Sequence, residues 1–242
     1  MTTLLLRLAG PMQSWGTRSR FDERDTNLEP SKSGVLGLVC AALGRDRHEP
    51  IADLASLRMG VRVDREGVLR RDYHTAQNII AADGRKMHPT AVSVRYYLAD
   101  AVFLVGLEGD RNVLANIHAA LHNPRWTLAL GRKSYVPTLP IYLADGLRDE
   151  DLMAALNHYP YLPSLLPSTR PAHSDTVRFV IEAEEGALRT DQPLAPYAQR
   201  QFGVRYVQNH VKAWDVLFPA EQESITLDPP MSSTIGDGND ND

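Results

Sequence analysis

A single cysteine, Cys40, stands among the 242 residues. No internal disulfide can therefore staple the fold, and its stability must come from a hydrophobic core. Cys40 sits between Val39 and Ala41-Ala42, where it reads as a small buried residue and not as a nucleophile. No apolar run approaches the roughly 20 residues that cross a bilayer. No basic stretch precedes a long apolar one at the start, so no secretory leader is expected and the cytoplasm is the expected compartment. Repeats of solenoid length are also lacking.

A surplus of positive charge is missing too: the formal net charge is −4. Its distribution is uneven. Glu221 to Asp242 holds six acids and no Lys or Arg, which leaves 26 bases against 24 acids before it. Residues 1–100 alone carry 15 bases and 12 acids. The body is weakly basic, short of a free-standing nucleic-acid binder.

The hydrophobic share of 43% provides for one medium domain or two small ones. Thr3–Leu8 reads as a strand that Gly10-Pro11 must end. Ser31–Leu43 reads as a helix closed by Gly44. Met59–Val63 and Val68–His74 suggest a hairpin around Asp64-Arg65-Glu66-Gly67. The polar stretch Asn78–Thr90 then precedes strands at Ala91–Leu98 and Ala101–Leu107 and a helix at Arg111–Leu121. This order predicts an α+β fold: a ferredoxin-like, RRM-type core over residues 1–128, with residues 78–90 projecting as a β-thumb. Residues 129–218, rich in proline, form a strand-rich region packed on that core, with strands at Val177–Glu182 and Val204–Val207. The acidic stretch 219–242 has no periodicity and reads as disordered.

Several motifs could carry chemistry. Pro30-Ser31-Lys32-Ser33-Gly34 resembles a phosphate loop, but the glycine a Walker loop needs is absent from Asn27-Leu28-Glu29-Pro30. Two readings remain: a helix start with a solvated lysine, or a helix N-terminus whose free N–H groups and Lys32 hold RNA phosphates. Trp15, beside Gln13 in a polar loop, is either a packing anchor or a stacking platform for an unpaired base. Of the arginines that follow, Arg18 and Arg20 are the candidates for phosphate, because Asp22, Glu23 and Asp25 interrupt the track at Arg24. On the strand after Gly67, period two separates Arg71 and Tyr73 from Arg70 and His74. Tyr73, His74, Lys86 and His88 also offer the groups of a metal-independent ribonuclease. Gly131-Arg132-Lys133 is either a surface turn or a turn closed around a ligand. His118 and His122 lack a third metal ligand, and Asp237–Asp242 lacks the distant Glu of a calcium loop, so neither a metal nor another cofactor is expected.

Taken together, L-R-L-A-G-P-M-Q-S-W-G, P-S-K-S-G-V-L-G-L, R-D-Y-H-T, L-G-R-K-S and R-Q-F near Arg200 follow one another in an order that resembles the CasD family of type I-E Cascade complexes. The resemblance implies a non-catalytic subunit that binds the 5′ handle of CRISPR RNA and caps the CasC backbone. Its thumb would touch the adjacent CasC, and another face would seat the large subunit CasA. Target DNA would be read indirectly, by base pairing to the guide. The implied RNA contacts are Gln13, Trp15, Arg18, Ser31, Lys32, Ser33, Arg71, Tyr73, His74, Arg132, Lys133 and Arg200. The alternative is a metal-independent endoribonuclease that processes repeat RNA, as CasD relatives of another subtype do with Tyr, Lys and His groups. In type I-E complexes that task falls to CasE.

Overall fold

Thr2–Ala9 (β1) is buried on both faces, which explains its nearly continuous run of leucines. Leu4, Leu6 and Leu8 point into one apolar layer, Leu5 and Ala9 into another. The computed structural model describes residues 1–17, 23–81, 83–165 and 174–219. After β1 come two short strands, β2 (Met12–Gln13) and β3 (Glu23–Arg24), then the helices α1 (Lys32–Leu43) and α2 (Ala52–Ala55). Strands β4 (Arg58–Arg65), β5 (Val68–Ile80), β6 (Met87–Ala99) and β7 (Val102–Gly109) lead to α3 (Arg111–His122). The remainder comprises β8 (Leu147–Arg148), α4 (Leu152–His158), a short 3-10 turn, β9 (Thr176–Ala183), β10 (Ala187–Pro193), β11 (Phe202–Ala213) and α5 (Trp214–Leu217).

Seven strands form one antiparallel sheet in the order β10-β11-β9-β4-β7-β1-β8. Helices α1 and α3 cover one face through Val35, Leu36, Val39, Leu114 and Ile117. Helix α4 covers the other through Leu152, Ala155 and Leu156. On that second face Gly60 leaves room for α4: a Cβ there would come within 2.9 Å of Leu156 Cδ1. Its neighbour Arg62, wholly buried, is held by Asp64 and donates to the carbonyls of Leu156, Tyr159 and Pro160. It thereby satisfies carbonyls that the C-terminal end of α4 leaves unpaired.

The hairpin expected between Met59–Val63 and Val68–His74 does not form. β4 pairs with β7 and β9, whereas β5 pairs with β6 in a second sheet that also holds β2 and β3. Gly67, at φ +74°, carries the chain from one sheet to the other. A Cβ at Gly67 would meet Ala99 O at 2.7 Å, so the turn suits glycine alone. The stretch 78–90, expected to project as a β-thumb, is the outer part of a longer hairpin. The register runs on to Ile80↔Met87, making β5 and β6 one long, mostly exposed hairpin. The C-terminal strands β9–β11 lengthen the seven-stranded sheet at the free side of β4. Residues 220–242 lie outside the described residues, as do Arg18 and Arg20.

Candidate nucleic-acid interface

Four cations meet at the base of the hairpin. Arg24 from β3, Arg95 from β6, and Arg132 and Lys133 from the loop after α3 line, with Ser134, a depression of about 500 Å³. Three segments distant in sequence build it. Arg24 lies beside Arg95 in the parallel β3–β6 register. The 130–135 loop is a tight turn, with Leu130 N donating to Tyr135 O at 2.8 Å and Tyr135 N to Arg132 O at 2.8 Å. Gly131, at φ +92°, lets that turn touch the chain after β2, since a Cβ there would land on the Ser14 carbonyl. The glycine closes around the protein's own backbone instead of a ligand.

Arg132 is partly committed. Its guanidinium donates to Tyr135 Oη at 2.9 Å, to Tyr96 O at 3.2 Å and to Arg24 O at 3.4 Å. These bonds fix the loop against β6 and β3 and leave Lys133 and Arg24 exposed on either side. Among the described residues, no carboxylate lines the depression itself. Asp25 lines a second, smaller hollow that shares Arg24 and Arg132 with the depression and also holds Ser14 and Gly16. Asp72 stands opposite Arg95 in register, and its Oδ2 lies 3.0 Å from His74 Nδ1.

The first loop and helix serve the interior. Gln13 is buried, its amide nitrogen donating to Leu8 O at 3.2 Å and Ala101 O at 2.8 Å. The Trp15 indole nitrogen donates to Gln13 Oε1 at 3.2 Å, and the ring, 1% exposed, packs over Gly34. Neither residue can reach RNA, and Trp15 is a packing anchor. Lys32 is 1% exposed, with its ammonium 2.9 Å from Glu182 Oε1. Its backbone N–H donates to Asp191 Oδ2 at 2.7 Å, so the N-terminus of α1 already holds a carboxylate of this chain. Burial pulls the Lys32 ammonium below its ordinary pKa, and Glu182 opposes that shift. Ser31 is buried without capping through its side chain, and the Ser33 carbonyl accepts from Tyr197 Oη at 2.6 Å. The expected phosphate cradle is thus filled from within.

Residues 3–208 match the family model for CRISPR-associated proteins called Cas5. The chain belongs to the Cas5 family. It is similar to the CRISPR system Cascade subunit CasD of Escherichia coli K12, at 37% identity over 176 residues, covering 65% of this chain and 77% of that protein. A solved structure described as a Cas protein is 51% identical, with a TM-score of 0.71 over 87% of this chain and 95% of that one. A chain of a CRISPR RNA-guided surveillance complex is 33% identical, with a TM-score of 0.71 over 87% of this chain and 90% of its own.

Against that family background, the expected contacts separate into groups. Arg132 and Lys133 come together with Arg24 and Arg95, two arginines that no sequence motif marked as contacts. Arg71 and Tyr73, exposed on β5, face away from His74, because neighbouring strand residues alternate sides. Arg200 lies in the turn between β10 and β11, at φ +52°, and does not line the depression. His118 and His122 pack their rings on Tyr142, at centroid distances of 4.6 and 4.9 Å. Arg95 carried one signal in the sequence: a cation preceding Tyr96-Tyr97 on a strand, in a region already expected to support the thumb.

Proposed function

We propose that this chain is a non-catalytic subunit of a type I-E Cascade complex, working in the cytoplasm. It binds the 5′ handle of CRISPR RNA at the hairpin base, caps the CasC backbone through the hairpin, and seats CasA on another face. The observation that carries the reading is the convergence of Arg24, Arg95, Arg132 and Lys133 on one depression with no acid in its lining among the described residues. Phosphates neutralise such a cluster on binding, and the release of counterions drives the association. Similarity to the E. coli Cascade subunit and to a surveillance-complex chain supports the assignment of partners. Guide pairing, not this subunit, then reads target DNA.

The course strand–helix–strand–strand–helix–strand, with β4-β7-β1-β8 adjacent in that order, supports a ferredoxin-like sheet centre. In this reading residues 1–128 supply core and hairpin, residues 129–218 a strand-rich flank, and residues 219–242 an acidic tail. The placement of Tyr73 and His74 on opposite faces of β5 argues against a shared nuclease centre. The test is photo-crosslinking from 4-thiouridine in the handle of a reconstituted complex. Crosslinked peptides should contain residues of the depression. Crosslinks confined to other faces, or cleavage of repeat RNA by the purified chain, would contradict the proposal.

A further inference from the structure

The acidic stretch 220–242 lies outside the family match, which ends at 208. It holds Glu221, Glu223, Asp228, Asp237, Asp240 and Asp242 within 23 residues and no Lys or Arg. We infer that this segment docks on the depression lined by Arg24, Arg95, Arg132 and Lys133, where it competes with RNA phosphate. The inference rests on the RNA-binding reading of that depression and adds a regulation of it.

Charge complementarity selects the occupant. The depression is a cluster of cations with no acid in its lining among the described residues, and the segment offers carboxylates with no cation of its own. Three other arginines near the surface are already neutralised by acids of the folded body, and the exposed Arg70, Arg71 and Arg85 line the hairpin singly and not this depression. Arg178 bonds Glu29 and Glu66, Arg189 bonds Glu29, and Arg45 bonds Asp53 in bidentate fashion. Chain length permits the contact. A segment of this size spans roughly 75 Å when extended, whereas a body of this length has a radius of gyration of about 18 Å. Every face is therefore within reach of Pro219.

Tethering makes weak contacts count. A segment tethered to the body meets its site at an effective concentration that reaches the millimolar range for short tethers. Even modest affinity then displaces RNA that binds by charge alone. RNA held by many contacts, such as a handle gripped by neighbouring subunits as well, displaces the segment instead. The device suppresses capture of stray RNA by the free subunit and yields on assembly. Both interactions are ionic, so both fade as salt shortens the reach of charge.

The experiment uses the full chain and a full-length variant with the six acids changed to amides: Glu221→Gln, Glu223→Gln, Asp228→Asn, Asp237→Asn, Asp240→Asn and Asp242→Asn. A fluorescent oligouridylate of about 12 nucleotides, a length within the range of single-strand binding sites, is titrated with each protein at about 50 and 200 mM salt. The amide variant should bind roughly threefold or more tightly at the lower salt, with the gap closing at the higher. In parallel, a labelled peptide of residues 220–242 should bind the amide variant and lose that binding when Arg24→Glu and Lys133→Glu are added. A peptide that fails to bind, or that binds equally after those two changes, overturns the inference while leaving the RNA reading intact. Peptide binding that depends on Arg24 and Lys133, without any RNA binding, supports the docking and removes the RNA reading.

Discussion

The Lys32 ammonium lies 2.9 Å from Glu182 Oε1, joining the first turn of α1 to β9 across 150 residues of sequence. Glu182 also accepts from Met59 N at 3.1 Å and lies 3.6 Å from Arg205. Arg205 in turn bonds Asp191, which receives the Lys32 amide. The network therefore fastens the C-terminal strands to the helix layer. Removing one member of a buried pair strands its partner, at a cost of about 3–5 kcal/mol where burial is complete. Glu182 is 19% exposed and retains Arg205, so Lys32→Ala should destabilise by about 2–3 kcal/mol. Urea unfolding checks this.

Trp15→Ala should act through the same part of the molecule but by a different mechanism. The ring is fully enclosed in the main apolar layer and its nitrogen is the partner of Gln13. Truncation leaves a cavity and an unsatisfied amide oxygen, and should cost about 3–5 kcal/mol. Denaturant midpoints of the two proteins measure the loss. RNA affinity per folded molecule should be unchanged, since no RNA reaches the ring.

Alkaline pH should unfold the protein early. Burial pushes the Cys40 thiol up to about 11 and the Tyr159 and Tyr161 phenols up to about 12. Burial raises the Tyr197 phenol as well. In each case the unfolded chain loses its proton first, so the stability these groups contribute is intact below pH 9 and falls as pH rises towards 11–12. Lys32 works in the opposite sense, because its lowered value relieves a penalty as pH climbs towards 10.5. Four groups against one give a net decline. Urea midpoints should fall from pH 9 upwards, and Cys40→Ala should flatten the first part of that fall.

The long hairpin should be dispensable for folding. Thr75, Ala76, Gln77, Ile80 and Met87 are all exposed, and the Ile80↔Met87 pair leaves both apolar side chains about two-thirds in solvent. Replacing residues 77–90 with Asn-Gly keeps the Ala76↔Ala91 pair and supplies a two-residue turn. Thermal unfolding should shift by no more than a few degrees, a change of under about 1 kcal/mol. Incorporation into a Cascade complex, followed by size-exclusion chromatography, should drop sharply.

The elements written into local pattern were legible in the sequence. α1 begins at Lys32 and ends at Gly44, whose φ of +74° is the left-handed cap that glycine supplies. α3 starts at Arg111, where Asp110 accepts from the amides of Asn112 and Val113. The strands around 59–63, 102–107 and 177–182 show the same agreement. Long-range pairing was not legible. Nothing near Lys32 announces Glu182, and nothing in a polar loop announces that Gln13 and Trp15 bond each other in the core. β10, A-L-R-T-D-Q-P, lacks an apolar alternation because Asp191 faces Arg205 and not a hydrophobic layer. α4 gave no signal either, since a helix of only seven residues shows too few turns for periodicity. The cationic site was hidden because three segments far apart in the chain build it.

The salt dependence of handle binding tests the central claim most directly. A complex reconstituted with Arg24→Ala and Lys133→Ala is titrated with 5′-handle RNA across a range of salt, beside the wild type and Lys32→Ala. Removing one cation that neutralises a phosphate of single-stranded RNA lowers the log–log slope by about 0.7. The double variant should therefore bind more weakly, with a slope shallower by about 1.4, while folded Lys32→Ala retains the wild-type slope. An unchanged slope in the double variant, or a shallower one in Lys32→Ala, would contradict a grip on RNA at the base of the hairpin.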